Sequence, residues 1–229
     1  RTPGERRLRR PHRRPRRLAS HKSVTDPRLP RLAVPSAYRL ELAPDLDAHT
    51  FTGTVEIDVE ILEPTARLVL NSIELTIHSA SVVINGTTHT AATTLDDETE
   101  RLTLTLDGEV AAGPATVQVT FDGILNDQLH GFYRSTYTAD DGTEHTIATT
   151  QFQSTDARRC FPCWDEPEYK ATFETTLIVD ADHIAVTNTS EVAETTLDDG
   201  RRRIQYAPTM VMSTYLVAYV GVPVEATIP

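Results

Sequence analysis

Histidine pairs, helical periodicity and long apolar runs are what this 229-residue sequence lacks. Its eight histidines (His12, His21, His49, His78, His89, His130, His145, His183) never stand four apart, so a His-Glu-x-x-His zinc helix is excluded. No window sustains apolar residues at i, i+3, i+4 and i+7, which excludes a helical bundle. No apolar stretch approaches the ~20 residues of a membrane helix, and a signal-peptide apolar core is missing. Only two cysteines are present, Cys160 and Cys163. A structural zinc site needs two further ligands nearby, and a thioredoxin-like site needs a βαβ setting; neither is here. We read both as buried or semi-buried thiols, in keeping with a reducing, cytoplasmic compartment. Asp198-Asp199-Gly200 lacks the rest of a calcium loop and reads as a hairpin turn.

Charge is unevenly placed. Residues 1–31 carry twelve Lys or Arg against Glu5 and Asp26, while the remaining 198 residues hold 10 bases against 31 acids. The tail, with Arg6-Arg7, Arg9-Arg10, Arg13-Arg14 and Arg16-Arg17 among prolines, is too poor in apolar residues to fold and is expected to be disordered. Such a run suits a nucleic-acid contact or an organellar or nuclear address, but it lacks the apolar face of a transit peptide. The sequence opens on Arg rather than Met, and we read it as a fragment whose tail has no part in the work of the domain at 32–229. The acidic body disfavours nucleic acid as a partner.

What is present from Leu32 onward is alternation. Tyr38, Leu40 and Leu42; Phe51, Val55, Ile57, Val59 and Ile61; Leu102, Leu104 and Leu106; Val117, Val119 and Phe121; and Phe173, Leu177 and Val179 each interleave with polar residues. That period of two marks half-buried strands. Asn85-Gly86 after Val82-Val83-Ile84 predicts a type I′ hairpin. Asp-Asp-Gly at 140–142 and 198–200, and Asp-Gly at 107–108 and 122–123, predict turns between strands. An all-β fold of antiparallel sheets follows.

One stretch is unlike the rest. Residues 150–167 hold the only tryptophan, both cysteines, Pro162, Pro167 and a cluster of charges. The prolines predict an irregular, turning connection at Phe161 and Glu166. Phe152, Phe161 and Trp164 would pin it by burying about 150–250 Å² each, with Asp156, Arg158, Arg159, Asp165 and Glu166 pairing around the rings. A corner of purely structural use fits this description, and so does a rigid loop that presents Gln151 and Gln153 to a ligand.

The run Thr150-Gln151-Phe152-Gln153 through Asp165-Glu166-Pro167 resembles the N-terminal β-domain of zinc aminopeptidases of the aminopeptidase N and puromycin-sensitive type. Val34-Pro35-Ser36-Ala37-Tyr38, Gly131-Phe132-Tyr133-Arg134-Ser135 and Met212-Ser213-Thr214-Tyr215-Leu216 agree with it in order. The resemblance implies a saddle-like arrangement of sheets lying over a zinc catalytic domain that follows in the chain. It implies that Gln151 lines the pocket for the first side chain of a peptide and that Gln153 holds its free α-amine. The zinc helix and the Gly-x-Met-Glu-Asn segment of the family are absent, so we expect no catalytic or metal-binding residue in this chain, with zinc belonging to the full-length enzyme. The competing expectation is a truncated, stand-alone binding module without peptidase activity.

Overall fold

A computed structural model describes residues 28–223. Among them the chain forms fourteen strands and two three-residue 3₁₀ turns, Ala157–Arg159 and Thr214–Leu216. The strands are β1 (Ala33–Asp45), β2 (Thr50–Ile61), β3 (Thr65–Asn71), β4 (Thr76–Ile84), β5 (Thr87–Asp96), β6 (Arg101–Val110) and β7 (Gly113–Ile124). They continue as β8 (Gly131–Thr138), β9 (Glu144–Gln151), β10 (Thr172–Val179), β11 (His183–Thr187), β12 (Glu191–Thr196), β13 (Arg202–Tyr206) and β14 (Tyr219–Pro223). The expected all-β fold is what forms. No helix among the described residues is long and apolar enough to cross a membrane. The expected disordered tail falls mostly on residues outside those described, although Leu29, assigned to that tail, is 5% exposed and joins the core.

Ten strands make one sheet in the order β12-β13-β10-β1-β2-β7-β4-β5-β6-β3, and four make a second in the order β11-β14-β9-β8. β1 and β10 run parallel, from Ala37 opposite Thr172 to Leu42 opposite Leu177, so the sheets are not wholly antiparallel. β11 and β12 are joined by a short link, yet they belong to different sheets. The inward sides of the alternating strands supply the core: Tyr38, Leu40, Leu42, Ile57, Val117, Phe121, Leu104 and Phe173 are all at most 2% exposed. The second sheet closes over that core through Phe132, whose ring lies 5.1 Å from those of both Phe51 and Tyr219.

The turn at Asn85-Gly86 forms as expected, with positive φ at both residues (49° and 76°), the pairing that a type I′ turn requires. Two other Asp-Gly pairs are not turns. Asp107-Gly108 lies inside β6, beside a register shift against β3, and Asp122-Gly123 lies inside β7, where Gly123 faces Phe51. A Cβ on Gly123 would stand 2.1 Å from that ring. The glycine serves the packing of a neighbouring aromatic, not a change of chain direction.

Candidate functional site

β9 ends at Gln151, and the next residues turn back on themselves: Asp156 N–H donates to the Phe152 carbonyl (3.0 Å) and leads into the turn Ala157–Arg159. Gln151 and Gln153 are exposed on either side of Phe152, which is 2% exposed and packs edge-on to Phe161 and Tyr219. The Gln153–Ser154 peptide is cis. No hydrogen bond among the described residues engages either glutamine amide, so both amides are available to a ligand. Thr155, two residues on, lines a cleft of about 520 Å³ together with Arg28, Arg158, Asp165, Glu166 and Glu168. Neither glutamine lines it.

The scaffold under these glutamines is polar and closed. Arg158 donates to Asp165 through Nε (3.0 Å, to Oδ2) and through its terminal nitrogen to the Asp165 carbonyl (3.1 Å), and it reaches Glu100 at 2.9 Å. Asp165 is 2% exposed and also accepts from Thr214 (2.5 Å), while its own N–H donates to Asn71 (3.1 Å). Arg159 pairs with Asp156 (2.9 Å) and with Glu74. Asn71 and Cys163 exchange backbone hydrogen bonds of 2.7 and 3.1 Å, and the Tyr38 hydroxyl accepts from the Trp164 N–H (3.1 Å). The loop is thus tied to β1, to the end of β3, to the β5–β6 turn and to the segment before β14. Every buried charge in it meets an opposite charge or a donor, which is the condition for keeping charges inside a core.

Phe161 and Trp164 are buried as expected. So are Cys160 and Cys163, both free thiols. Cys160 Sγ contacts the Tyr219 hydroxyl, and burial pushes the Cys160 thiol, the Cys163 thiol and the Tyr219 phenol up, so all three stay protonated at neutral pH. Inert thiols of this kind are packing groups. Glu74 and Glu100, which hold the two arginines, were not singled out by sequence reasoning; each sits at positive φ (60° and 54°), and no local pattern marks it. Among the described residues no three His, Cys, Asp or Glu side chains are grouped to hold an ion. The residues present therefore do not fit the zinc that the resemblance implies, and no metal step is assigned to them.

Comparison with known proteins decides the family. Residues 34–216 match the Peptidase M1 N-terminal domain. The chain belongs to this family. Its similarity to Aminopeptidase M1 of Arabidopsis thaliana is 44% identity over 200 residues, covering 85% of this chain and 22% of that protein. Similarity to the Puromycin-sensitive aminopeptidase of Caenorhabditis elegans is 40% over 195 residues, covering 84% and 21%. For the Alanine/arginine aminopeptidase of Saccharomyces cerevisiae it is 38% over 195 residues, covering 84% and 22%. The chain spans about a fifth of the length of these relatives. The M1 N-terminal match runs from Val34 in β1 through the turn Thr214–Leu216 and so takes in Gln151, Gln153 and the loop that carries them, with Tyr219 of the scaffold lying just beyond it.

Proposed function

We propose that this chain is the substrate-selecting N-terminal domain of a cytoplasmic zinc aminopeptidase, and that it acts with a zinc catalytic domain C-terminal to it to release N-terminal residues from peptides. Its own contribution is binding. Gln151 borders the pocket for the first side chain, and the Gln153 amide oxygen accepts from the free α-amine. The observation that supports this most is the pair of exposed, unengaged amides flanking a buried phenylalanine on a loop whose two arginines are both paired with carboxylates. A group that must hold an ammonium in place gains from such rigidity, because little ordering is left to be done on binding.

The experiment is steady-state kinetics of the full-length enzyme with aminoacyl substrates. Losing a hydrogen bond to a charged group costs about 1.5–3 kcal/mol, so Gln153→Ala raises KM at least tenfold with kcat little changed. Gln153→Glu lowers KM, because a carboxylate accepts from an ammonium more strongly than an amide does. Unchanged kinetics in both variants would remove the anchoring role.

A further inference from the structure

Four asparagines stand in the sequence, Asn71, Asn85, Asn126 and Asn188, and the fold treats three of them alike. Asn71 donates through Nδ2 to the Glu100 carbonyl (3.4 Å) and accepts at Oδ1 from the Asp165 N–H (3.1 Å). Asn126 donates to the His130 carbonyl (2.9 Å) and accepts from the Gln128 N–H (2.8 Å). Asn188, although exposed, donates to the Leu216 carbonyl (3.0 Å) and accepts from the Ala218 N–H (2.8 Å). Each of these amides is tied to backbone at both its nitrogen and its oxygen.

Asn85 is the exception. No hydrogen bond among the described residues holds its amide, and none holds the Gly86 N–H. Both residues are exposed at the tip of the β4–β5 hairpin. A Cβ on Gly86 would meet nothing within 4 Å, so the space beside its nitrogen is open, and glycine brings no side chain to screen it. The ladder behind the tip is short, running only from Ser81 opposite Thr90 to Ile84 opposite Thr87.

We propose that Asn85 is a site of spontaneous deamidation and that the other three asparagines are protected from it by their bonds. The Gly86 nitrogen attacks Cγ of Asn85, a five-membered succinimide closes, and the side-chain nitrogen departs as ammonia, taking the Gly86 proton with it. Water then opens the ring. Cleavage between Cγ and nitrogen gives aspartate, and cleavage between the α-carbonyl and nitrogen gives isoaspartate, with the chain now running through Cγ. One water enters and one ammonia leaves, with no cofactor required. Attack by the adjacent nitrogen is intramolecular and gains from that proximity. Asn85 must rotate out of its turn geometry to close the ring, and an exposed tip on a short ladder opens at little cost.

The product is a new carboxylate in an acidic place. Asn85 and Gly86 line a groove of about 580 Å³ with Asp58 and Glu60. Asp58 belongs to the outward polar row of the larger sheet, where Arg39 donates to Asp58 (two bonds of 2.7 Å) and to Glu56 (3.1 Å), and Gln118 donates to Glu56 (2.9 Å). Isoaspartate also adds a backbone carbon to a two-residue turn that sets the register of Ile84 against Thr87. The inference stands apart from the aminopeptidase reading, because it uses no residue of the loop that carries Gln151 and Gln153.

Ageing the folded 229-residue chain in mildly alkaline buffer tests this, with each asparagine followed by peptide mass and by fragmentation that tells isoaspartate from aspartate. The Asn85 peptide is expected to convert several-fold faster than those of Asn71, Asn126 and Asn188, and a more acidic species appears on ion exchange. Asn85→Gln, which must close a six-membered ring, removes that species while circular dichroism shows the fold intact. Ageing in guanidinium raises conversion of the other three several-fold, since their amides are then released. An Asn85 peptide that converts no faster than the Asn188 peptide overturns the inference, as does an acidic species that persists in Asn85→Gln. No rise on unfolding removes the protective role of the held amides. Asn85-Gly86-Thr87 also fits the acceptor pattern for an N-linked sugar, and a sugar on Asn85 in protein taken from its source overturns the proposal, because the nitrogen that must leave is then blocked.

Discussion

Asp58 is the residue on which the outward row of the larger sheet turns. It accepts two bonds of 2.7 Å from Arg39 and one of 2.9 Å from Thr116, and the Arg39 hydrogen bonds hold its carboxyl below the usual range. A carboxyl depressed in the folded state adds stability above its unfolded value of about 3.9, and that stability is lost as pH falls through the lower folded value. The pair is half-exposed, so the contribution is small, no more than about 1 kcal/mol. Urea unfolding at a series of pH values should show Asp58→Asn less stable than the parent at pH 7 and the difference closing below about pH 4. A difference that stays constant down to pH 2 would show that Arg39 is not what Asp58 answers to. Gly123 makes a steric argument instead. Its missing Cβ leaves the place occupied by the Phe51 ring, and both residues are buried between the sheets. Gly123→Ala should cost about 1–3 kcal/mol, read as a lowered Tm, because a packed core yields only by moving a ring off its rotamer. An unchanged Tm would mean that Phe51 has room to shift.

At the scale of elements, the connection from Phe152 to Glu166 has little regular structure and depends on Asp165 for its shape. With Arg158, Thr214 and Asn71 all bonded to it, Asp165 closes a network that no neighbour in sequence supplies. Asp165→Asn leaves Arg158, itself mostly buried, short of a counter-charge. Removing one partner of a buried pair costs about 3–5 kcal/mol, which should lower the urea midpoint and loosen the turn that carries Gln153. A midpoint within error of the parent would show that Glu100 alone suffices for Arg158. The pairing of Arg158 with Asp165 and of Arg159 with Asp156 was legible in the sequence as a cluster of opposite charges around the rings, but their distant partners Asn71, Glu74 and Thr214 were not. The rings that pin the loop were, because three large aromatics in an otherwise aromatic-poor chain have few places to go but inward. Glu100 was not, standing 58 residues from Arg158 among the acids of a surface turn. The strands divide in the same way. β1, β2, β6, β7 and β10 announce themselves because one face is wet and the other dry, which writes a period of two into the sequence. In β3, Leu68, Val69, Leu70 and Asn71 are all buried, and β12 is exposed throughout, so neither carries that alternation. The Asp-Gly pairs at 107–108 and 122–123 misled because one dipeptide serves a turn, a register shift and an aromatic neighbour alike, and only the tertiary partner tells these apart.

For the molecule as a whole, the unequal build of the two sheets sets the order in which they open. β2 is paired along its full length on both sides, from Thr50 opposite Ile124 to Ile61 opposite Gly113 with β7, and from Thr50 to Ile61 again with β1. Among the described residues of the smaller sheet, β14 meets β9 only at Val220 opposite Thr149 and Gly221 opposite Ala148, and β11 is an edge with Ile184 and Val186 exposed. Few paired groups and little buried apolar surface mean a low free energy of local opening. Amide hydrogen exchange of the 229-residue chain should therefore release β11 and β14 at least tenfold sooner than β1, β2 and β7, a gap of about 1.4 kcal/mol or more in opening free energy. Coincident exchange would carry the opposite lesson. The contacts of Phe132 with Phe51 and Tyr219 would then be strong enough to make one cooperative unit of both sheets, and the β9–β14 seam would hold through its packing although its hydrogen bonds are few.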